Sequence, residues 1–242
     1  MIYTLLQFPI RLCLAVWAWI VIVTGFSLHA LFARLCAPFS SDSVYFWMRT
    51  ASAFLKVMFA LAGIRYRVEG LEHYDPNRPL MLVSNHMSHL DILAFMVAIP
   101  GNFAFVAKQE LLKVPVLGTE INFQKHILIN RANIKQSFRV LQQIPTYINN
   151  GRTVVIFPEG TRSKTGELGP FHRKSFSIAI KHNLTILPAC ILGTNQVISK
   201  HSFFINPGSI LIRLGKPISI KTTDSAALMS QVRTSVSQLM SM

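Results

Sequence analysis

Apolar residues follow two different patterns along the chain, and the change comes near residue 64. Two long apolar stretches come first, over residues 12–33 and 44–64. Beyond them, short runs rich in β-branched and aromatic residues alternate with amphipathic segments and turns. The pattern therefore predicts a membrane-associating helical hairpin over residues 1–64 and an α/β domain over residues 65–242.

The first stretch, from Leu12 to Ala33, contains no Asp, Glu, Lys or Arg and is flanked by Arg11 and Arg34. At ~1.5 Å per residue, this length of helix covers the ~30 Å hydrocarbon core of a bilayer. A membrane helix is favoured over a buried core helix, and over a signal peptide because Leu31 and Ala33 make a poor cleavage site. Whether it spans the bilayer or only enters it stays open, since the flanking arginines are balanced.

The second stretch differs because it carries Arg49 and Lys56. Seven residues apart on a helix, they lie on nearly the same side and leave a broad apolar face opposite. That arrangement is typical of a helix lying in the membrane interface. The bend of the hairpin is predicted at Pro38, Ser40, Ser41 and Asp42.

The remainder predicts strands and helices in alternation. Strands that are apolar on both faces and separated by helices indicate a mixed, largely parallel sheet of about seven strands, flanked by helices. The predicted strands are residues 65–70, 80–84, 103–107, 126–130, 153–157, 185–192 and 209–215. The predicted helices lie near residues 88–98, 109–114, 133–149, 173–182 and 224–240.

Composition also points to a membrane. The chain is 51% hydrophobic and 14% charged, which is more apolar than a typical soluble domain. Its net charge of +14 suits an anionic partner such as nucleic acid, an acidic membrane surface or an acidic carrier protein. Aromatic residues are concentrated in the N-terminal stretches and do not interleave with a basic stripe, so nucleic acid is the least favoured of these partners.

The three cysteines give no sign of a disulfide framework or a zinc site. Cys13, Cys36 and Cys190 are odd in number, far apart and lack any C-x-x-C spacing. A reducing compartment follows as the simpler interpretation. Cys190, inside the apolar run TILPACIL, is interpreted as a small buried hydrophobe and not as a nucleophile.

The stretch NHMSHLD, residues 85–91, places His86 in a turn between a predicted strand and a predicted helix. Within one helix, five residues would separate His86 from Asp91 by roughly 140° of rotation, and the side chains would diverge. If His86 precedes the helix, it can fold back so that Asp91 binds one ring nitrogen and leaves the other as a base.

Asp91 has a second possible role. The segment from Ser88 to Asp91 resembles a capping box, in which the carboxylate satisfies backbone N–H groups and complements the helix dipole. The motif alone does not choose between a catalytic pair and a helix cap.

The segment TVVIFPEGTRS, residues 153–163, is an apolar strand that breaks into a turn at Pro158. Gly160 permits close backbone approach, exposed N–H groups can hold an anion, and Arg162 can bind a phosphate in bidentate fashion. The alternative is a connecting loop with a structural ion pair between Glu159 and Arg162.

Arg131 directly follows another predicted strand, HILIN. Strand ends are where α/β sheets bind ligands, although a lone arginine there is more often a solvated surface residue. Together with the His86 turn and the Arg162 turn, it outlines a site at three strand ends.

Taken in order, these motifs resemble those of the glycerolipid acyltransferase family, specifically the 1-acylglycerol-3-phosphate acyltransferases. The family has N-H-x-x-x-x-D, then an Arg after an apolar strand, then F-P-E-G-T-R-S, then a proline in an apolar stretch. The matching residues here are Asn85, His86, Asp91, Arg131, residues 157–163 and Pro188. KQELLKVPVLG, residues 108–118, also resembles a connecting stretch of the family, and the resemblance covers roughly residues 65–215.

The resemblance implies a membrane enzyme with its catalytic domain on the cytoplasmic face, in a bacterial inner membrane. It would transfer a fatty acyl group from acyl carrier protein or coenzyme A to the sn-2 hydroxyl of lysophosphatidic acid, giving phosphatidic acid. His86 would be the general base and Asp91 its orienting partner. Arg131 and the turn of Glu159, Gly160, Thr161 and Arg162 would hold the acceptor phosphate, and Pro188 would lie on the acyl-donor side.

This chemistry needs no metal and no cofactor beyond the acyl thioester itself, which is already activated. No G-x-S-x-G elbow occurs, which argues against an acyl-serine intermediate. Direct attack in a ternary complex is therefore expected.

Two lysines depart from the family pattern: Lys125 and Lys174 stand where glycine is usual. If both lie near the anion site, they could change the preference for the acceptor. An acyltransferase for another lyso-lipid, such as a lysophospholipid or an amino-acid lipid, is therefore the first alternative. A separate and more remote alternative is a non-catalytic basic membrane-surface or nucleic-acid-binding protein.

Overall fold

A single seven-stranded sheet organises the fold in the computed structural model, with strand order β1-β7-β6-β2-β5-β3-β4. The structure describes residues 2–40, 42–114, 116–130, 132–163, 165–199, 202 and 204–242. The strands are β1 Ile64–Glu69, β2 Met81–Ser84, β3 Phe103–Lys108, β4 Ile127–Ile129, β5 Thr153–Ile156, β6 Ile186–Leu192 and β7 Gly208–Leu214. The prediction of a mixed, largely parallel sheet is confirmed.

The helices lie before, between and after these strands. They are α1 Ile2–Cys36, α2 Ser43–Leu61, α3 Leu90–Ala98, α4 Leu117–Phe123, α5 Ile134–Leu141, α6 Ile144–Asn149, α7 Lys174–Lys181, α8 Thr194–Val197 and α9 Ser225–Ser241. Short 3-10 helices cover Ala37–Phe39, Leu71–His73 and Gln109–Lys113.

Strand direction divides the sheet in two. Strands β6, β2, β5, β3 and β4 are parallel to one another, whereas β7 pairs antiparallel to β6 and β1 runs parallel to β7. The five parallel strands therefore end at one edge of the sheet, and β1 and β7 begin there. We call this edge the carboxyl edge.

The two faces of the sheet are both covered, as the apolar strands predict. On β2, Leu82 packs into a core shared with α2 and α3, whereas Met81 and Val83 pack into a second core shared with α7 and α9. This alternation follows the two-residue period of a strand. The sheet is thus the middle layer of three.

The N-terminal helices form the predicted hairpin. The indole Nε1 of Trp17 donates to the carbonyl of Leu61, and His29 Nε2 lies 2.9 Å from Thr50 Oγ1, so α1 and α2 run antiparallel. Asp42 is the N-cap of α2, because its side chain accepts the N–H of Tyr45 in the first turn. Since Trp17 already reaches the end of α2, the first residues of α1 extend past it.

Helix α2 contacts protein more than expected for an interface helix. Arg49 and Lys56 are exposed on one side, as predicted, but six residues of the helix are buried. Several of them share one core with α3 and β1, so the hairpin packs directly on the sheet layer. The division into two domains at residue 64 stays a prediction.

Some predicted elements were wrong in extent. The region 133–149 is two helices, α5 and α6, with Pro145 in the first turn of α6. Residues 109–113 form a 3-10 helix, and the helix predicted over 12–33 continues from Ile2 to Cys36. The short helices α4 and α8 were not predicted.

Candidate active site

The turns that carry the predicted motifs meet at the carboxyl edge. Strand β2 lies between β6 and β5, so the turn after β2 has the β6 turn on one side and the β5 turn on the other. The segment 85–91 follows β2, and the segment 157–163 follows β5. The backbone N–H of Ser163 donates to the carbonyl of His86 at 2.7 Å, which joins the two turns directly.

His86 lies in the turn before α3, as its spacing from Asp91 requires. Its Nδ1 is 2.7 Å from Asp91 Oδ2. The imidazole stacks on Phe157, with ring centroids 4.3 Å apart, and its side chain remains 12% exposed. With Nδ1 engaged, Nε2 is the ring nitrogen left to meet a substrate.

Asp91 is fully buried and accepts four hydrogen bonds. Its Oδ2 accepts from His86 and from the backbone N–H groups of Met87 and Ser88, at 2.7 and 3.0 Å. Its Oδ1 accepts from the hydroxyl of Thr194 at 2.5 Å. Asp91 therefore satisfies turn N–H groups and binds the imidazole at once, so the two roles suggested by its sequence coexist.

The turn is also fixed by residues on either side of His86. The buried amide of Asn85 donates to the carbonyl of Ile191 and accepts its N–H, at 2.9 and 2.8 Å. The hydroxyl of Ser88 donates to the carbonyl of Ile198. These contacts attach the turn to β6 and to the segment after it.

Glu159 does not lie as the predicted phosphate ligand would. Its Oε1 accepts the backbone N–H of His86 at 2.8 Å, and its Oε2 accepts that of Gly169 at 2.9 Å. Burial raises the pKa of Glu159, while the two N–H donors act in the opposite direction. A buried carboxylate used in this way holds the His86 backbone in place, and its charge would repel a phosphate.

The rest of that turn is more accessible. Gly160 has a φ of 67°, and a Cβ there would lie 3.1 Å from the ring of His172. The predicted need for glycine is thus explained by both its conformation and its crowding. Thr161 is exposed and Arg162 half-buried.

Arg162 lies close enough to His89 to affect its charge. The pKa of His89 is lowered, first by loss of solvent around the ring and then by the positive charge of Arg162, while Asp91 acts in the opposite direction. The Arg162 guanidinium therefore lies near the loop that carries His86. That position is compatible with binding an anionic acceptor.

Arg131 lies outside the described residues. Its neighbours show only that this segment follows β4, the edge strand, with Asn130 Oδ1 accepting the N–H of Ala132. Three strand spacings separate β4 from β2, which is ~14 Å.

Lys125 and Lys174, which stand where the family usually has glycine, were expected near the anion site. For Lys125 this expectation was wrong. That residue precedes β4, at the edge of the sheet opposite the carboxyl edge, and it has a φ of 50°. Glycine is favoured there for its backbone conformation. Lys174 begins α7, two residues after His172.

Pro188 and Cys190 lie inside the sheet. Pro188 is buried in β6 opposite Val83, and its carbonyl accepts the N–H of Gly215. Its burial offers little surface to an acyl donor, so that role stays a prediction. Burial raises the pKa of Cys190 to about 11, which agrees with a buried hydrophobe and not a nucleophile.

Thr194 and the positioning role of Glu159 were missed by the sequence analysis. Thr194 follows Gly193 at the end of β6, and only the strand order brings it to Asp91. The one local signal was a glycine at a strand end. Gly193 has a φ of 86°, and a Cβ there would meet the carbonyl of Ser209.

A family model described as Acyltransferase matches residues 65–192, which is about half of the chain. The 1-acyl-sn-glycerol-3-phosphate acyltransferase alpha of Mus musculus is 33% identical over 181 residues, covering 73% of this chain and 64% of the relative. The 1-acyl-sn-glycerol-3-phosphate acyltransferase of Borreliella burgdorferi is 29% identical over 168 residues, covering 69% and 67%. The chain spans less than two thirds of the length of the mammalian relatives it matches.

The fold has a counterpart among solved structures. The crystal structure of the 1-acyl-sn-glycerophosphate (LPA) acyltransferase PlsC from Thermotoga maritima superimposes with a TM-score of 0.83 and 25% sequence identity. The match covers 94% of this chain and 93% of that one, so it includes the N-terminal hairpin as well as the sheet.

Proposed function

Since the chain belongs to the acyltransferase family, we propose that it transfers a fatty acyl group from a thioester to the sn-2 hydroxyl of lysophosphatidic acid, giving phosphatidic acid. The observation that carries this proposal is the pairing of His86 Nδ1 with the buried Asp91 carboxylate at 2.7 Å, next to the turn of Arg162. The names of the relatives support the same acceptor.

In the proposed reaction, His86 is the general base. Its Nε2 takes the proton of the acceptor hydroxyl while the oxygen attacks the thioester carbonyl, forming the new C–O bond. The C–S bond then breaks, and the imidazolium returns the proton to the departing thiolate. Asp91 stabilises the imidazolium and fixes its orientation, and such a base contributes typically 10²–10⁴-fold to the rate.

The acceptor phosphate is proposed to bind on the Arg162 side of His86, with Arg131 as a second cation. Glu159 acts through His86, because it holds the backbone N–H of that residue. The donor is proposed to be acyl carrier protein or coenzyme A thioester, and both are anionic partners that suit the net charge of +14.

The enzyme is proposed to act at a membrane, with the sheet domain on the cytoplasmic side of a bacterial inner membrane. Among the described residues, one helical span is long and apolar enough to cross a bilayer: it runs from Leu12 in α1 to Phe39 in the 3-10 helix that follows. Large apolar side chains on α1 are exposed along its length, including Ile10, Trp17, Ile20 and Leu35. Because a lipid acceptor is most concentrated in the membrane, an enzyme held there by α1 would meet its substrate directly.

The mechanism is tested with purified His86→Ala protein. We expect acyl transfer to fall by at least about a hundredfold, with only a small loss of thermal stability because His86 lies on a turn outside both hydrophobic cores. His182→Ala is the matched control, since His182 is exposed at the end of α7. Substantial activity in His86→Ala would overturn the mechanism.

The acceptor and donor are tested separately from the mechanism. The wild-type protein is offered lysophosphatidic acid, lysophospholipids and an amino-acid lyso-lipid, each with acyl carrier protein and coenzyme A thioesters, and products are identified by mass spectrometry. Phosphatidic acid as the main product supports the proposed acceptor. Preferential acylation of another lyso-lipid would replace it.

A further inference from the structure

Exposed apolar side chains also occur between the end of β3 and the first residue of α4, far from the hairpin in sequence. Leu112, Val114, Val116 and Leu117 are 36%, 42%, 40% and 37% exposed. We call the described residues of this segment, 112–114, 116 and 117, the β3–α4 loop. Four large apolar side chains this close together on an exposed loop typically mark a contact with a membrane or another protein.

The loop is held in place by its own backbone contacts. The N–H of Gly118 donates to the carbonyl of Val114 at 2.8 Å, and the hydroxyl of Thr119 donates to that of Val116. Gly118 lies so close to Leu112 that a Cβ would be 2.1 Å from its carbonyl oxygen. The backbone at Leu112, Val114 and Val116, which carry exposed apolar side chains, is therefore attached to the start of α4.

Val116 has a φ of 63°, a conformation that a β-branched residue adopts at a cost. Val116 is nevertheless exposed, so this costly conformation does not serve to bury its side chain in the protein. Such strain is found where a local conformation serves a function.

The loop lies close to the C-terminal end of α1. Glu120, one helical turn after Leu117, is buried and forms an ion pair with Arg34 in the last turn of α1. The Arg34 guanidinium also lies 5.7 Å from the ring centroid of Phe123. At this end of α1, the exposed apolar residues are Leu31, Phe32 and Leu35.

A cavity of about 340 Å³ opens beside the loop, lined in part by Leu112, Lys113 and Asn130. Lys113 contributes a positive charge to the lining, and Glu110, which also lines the cavity, contributes a negative one. Asn130 directly precedes Arg131, which is proposed to bind the acceptor phosphate. Apolar residues flanked by a basic one suit the surface of an anionic bilayer.

We propose that the β3–α4 loop is a second membrane-contacting surface, which enters the same leaflet as α1 and admits the lipid acceptor to the adjoining cavity. Its occupant is the bilayer surface, because the loop lies near the exposed apolar end of α1 and carries a lysine. The delivery of the acceptor rests on the proposed function, whereas the contact with lipid does not.

The contact is tested with the full chain in vesicles of phosphatidylethanolamine and phosphatidylglycerol. In a Cys13→Ser, Cys36→Ser background, Val114→Cys is labelled with an environment-sensitive fluorophore, and Leu71→Cys is the matched control. Leu71 is 40% exposed and follows β1, at the edge opposite the carboxyl edge. We expect lipid-borne nitroxide to quench the label at position 114 severalfold more strongly than the label at position 71.

Equal quenching at the two positions would overturn the proposal. A fluorescence change of the label at position 114 that depends on protein concentration would also overturn it, because it would indicate contact with a second copy of the chain. A fluorescence change that requires acyl carrier protein would overturn it as well. These outcomes need no enzyme activity, so they are distinct from a failure of the proposed function.

Delivery of the acceptor is tested kinetically with a Leu112→Gln, Val114→Gln double variant and a Leu71→Gln control. With lysophosphatidic acid embedded in vesicles, we expect a severalfold higher apparent KM for the double variant and little change in kcat. With the acceptor dispersed in detergent, the difference should disappear. An unchanged KM in vesicles would overturn delivery through the loop.

Discussion

Asp91 Oδ2 lies 2.7 Å from both His86 Nδ1 and the backbone N of Met87. One oxygen therefore holds the imidazole and the turn that carries it. The geometry removes the apparent choice between a helix cap and a catalytic partner, because anchoring the carboxylate is what keeps it still for His86. Residues that anchor Asp91 should then affect the reaction without touching the substrate.

Replacing Asp91 by Asn should separate charge from shape. The amide oxygen can still face His86, and the hydroxyl of Thr194 can rotate to accept from the amide nitrogen. What is lost is the negative charge that stabilises the imidazolium. We expect kcat to fall roughly 10²–10³-fold with the acceptor KM nearly unchanged, measured by steady-state kinetics.

Asp91→Ala provides the comparison for that experiment. It leaves the N–H groups of Met87 and Ser88 without their acceptor, so it should also lower stability, by about 1–3 kcal/mol. If Asp91→Asn retains wild-type kcat, the carboxylate has only the capping role.

Thr194→Val should lower activity through Asp91. Valine keeps the shape of the side chain but removes the hydroxyl that donates to Asp91 Oδ1. We expect kcat to fall roughly tenfold, equivalent to ~1.4 kcal/mol of transition-state stabilisation. Thr194→Ser restores the donor and should recover most of the rate, whereas equal loss in both variants would point to packing instead.

Glu159→Gln distinguishes a positioning residue from a phosphate ligand. The glutamine can accept only one of the N–H groups of His86 and Gly169, and its own amide faces the other. We expect a loss of about 1–3 kcal/mol in stability and a lower kcat, with a smaller change in acceptor KM. The control is Glu167→Gln, because Glu167 is exposed on the same loop. A change confined to acceptor KM would support the original assignment of Glu159 to phosphate binding.

The strands were predictable because few other secondary structures fit their sequences. Runs such as residues 153–157 are apolar on both faces, short and bounded by turn residues, and the structure places β5 within one residue of that range. His86 and Asp91 were predictable as a pair because their spacing excludes one helix and permits a turn followed by a helix.

Contacts between distant segments could not be predicted in the same way. Thr194 reaches Asp91 only because β6 lies beside β2, and strand order does not follow from periodicity. Glu159 looked like part of an anion site because its neighbours are Gly160 and Arg162. Its buried position and two N–H partners depend on the turn after β2, seventy-odd residues earlier in the chain.

Lys125→Gly should stabilise the protein without changing its activity. Lys125 adopts a φ of 50°, which costs an ordinary residue ~1–2 kcal/mol, and glycine avoids that cost while losing ~0.5–1 kcal/mol of chain entropy on folding. The backbone carbonyl that accepts from Arg152 is unaffected by the change. We expect a net gain of about 0.5–1 kcal/mol in the free energy of unfolding, measured in a denaturant titration.

Asn183→Gly is the matched control. Asn183 has a φ of 49°, but asparagine tolerates this region, so its gain in stability should be smaller. A lower acceptor affinity in Lys125→Gly would contradict the placement of this lysine at the edge of the sheet away from the site.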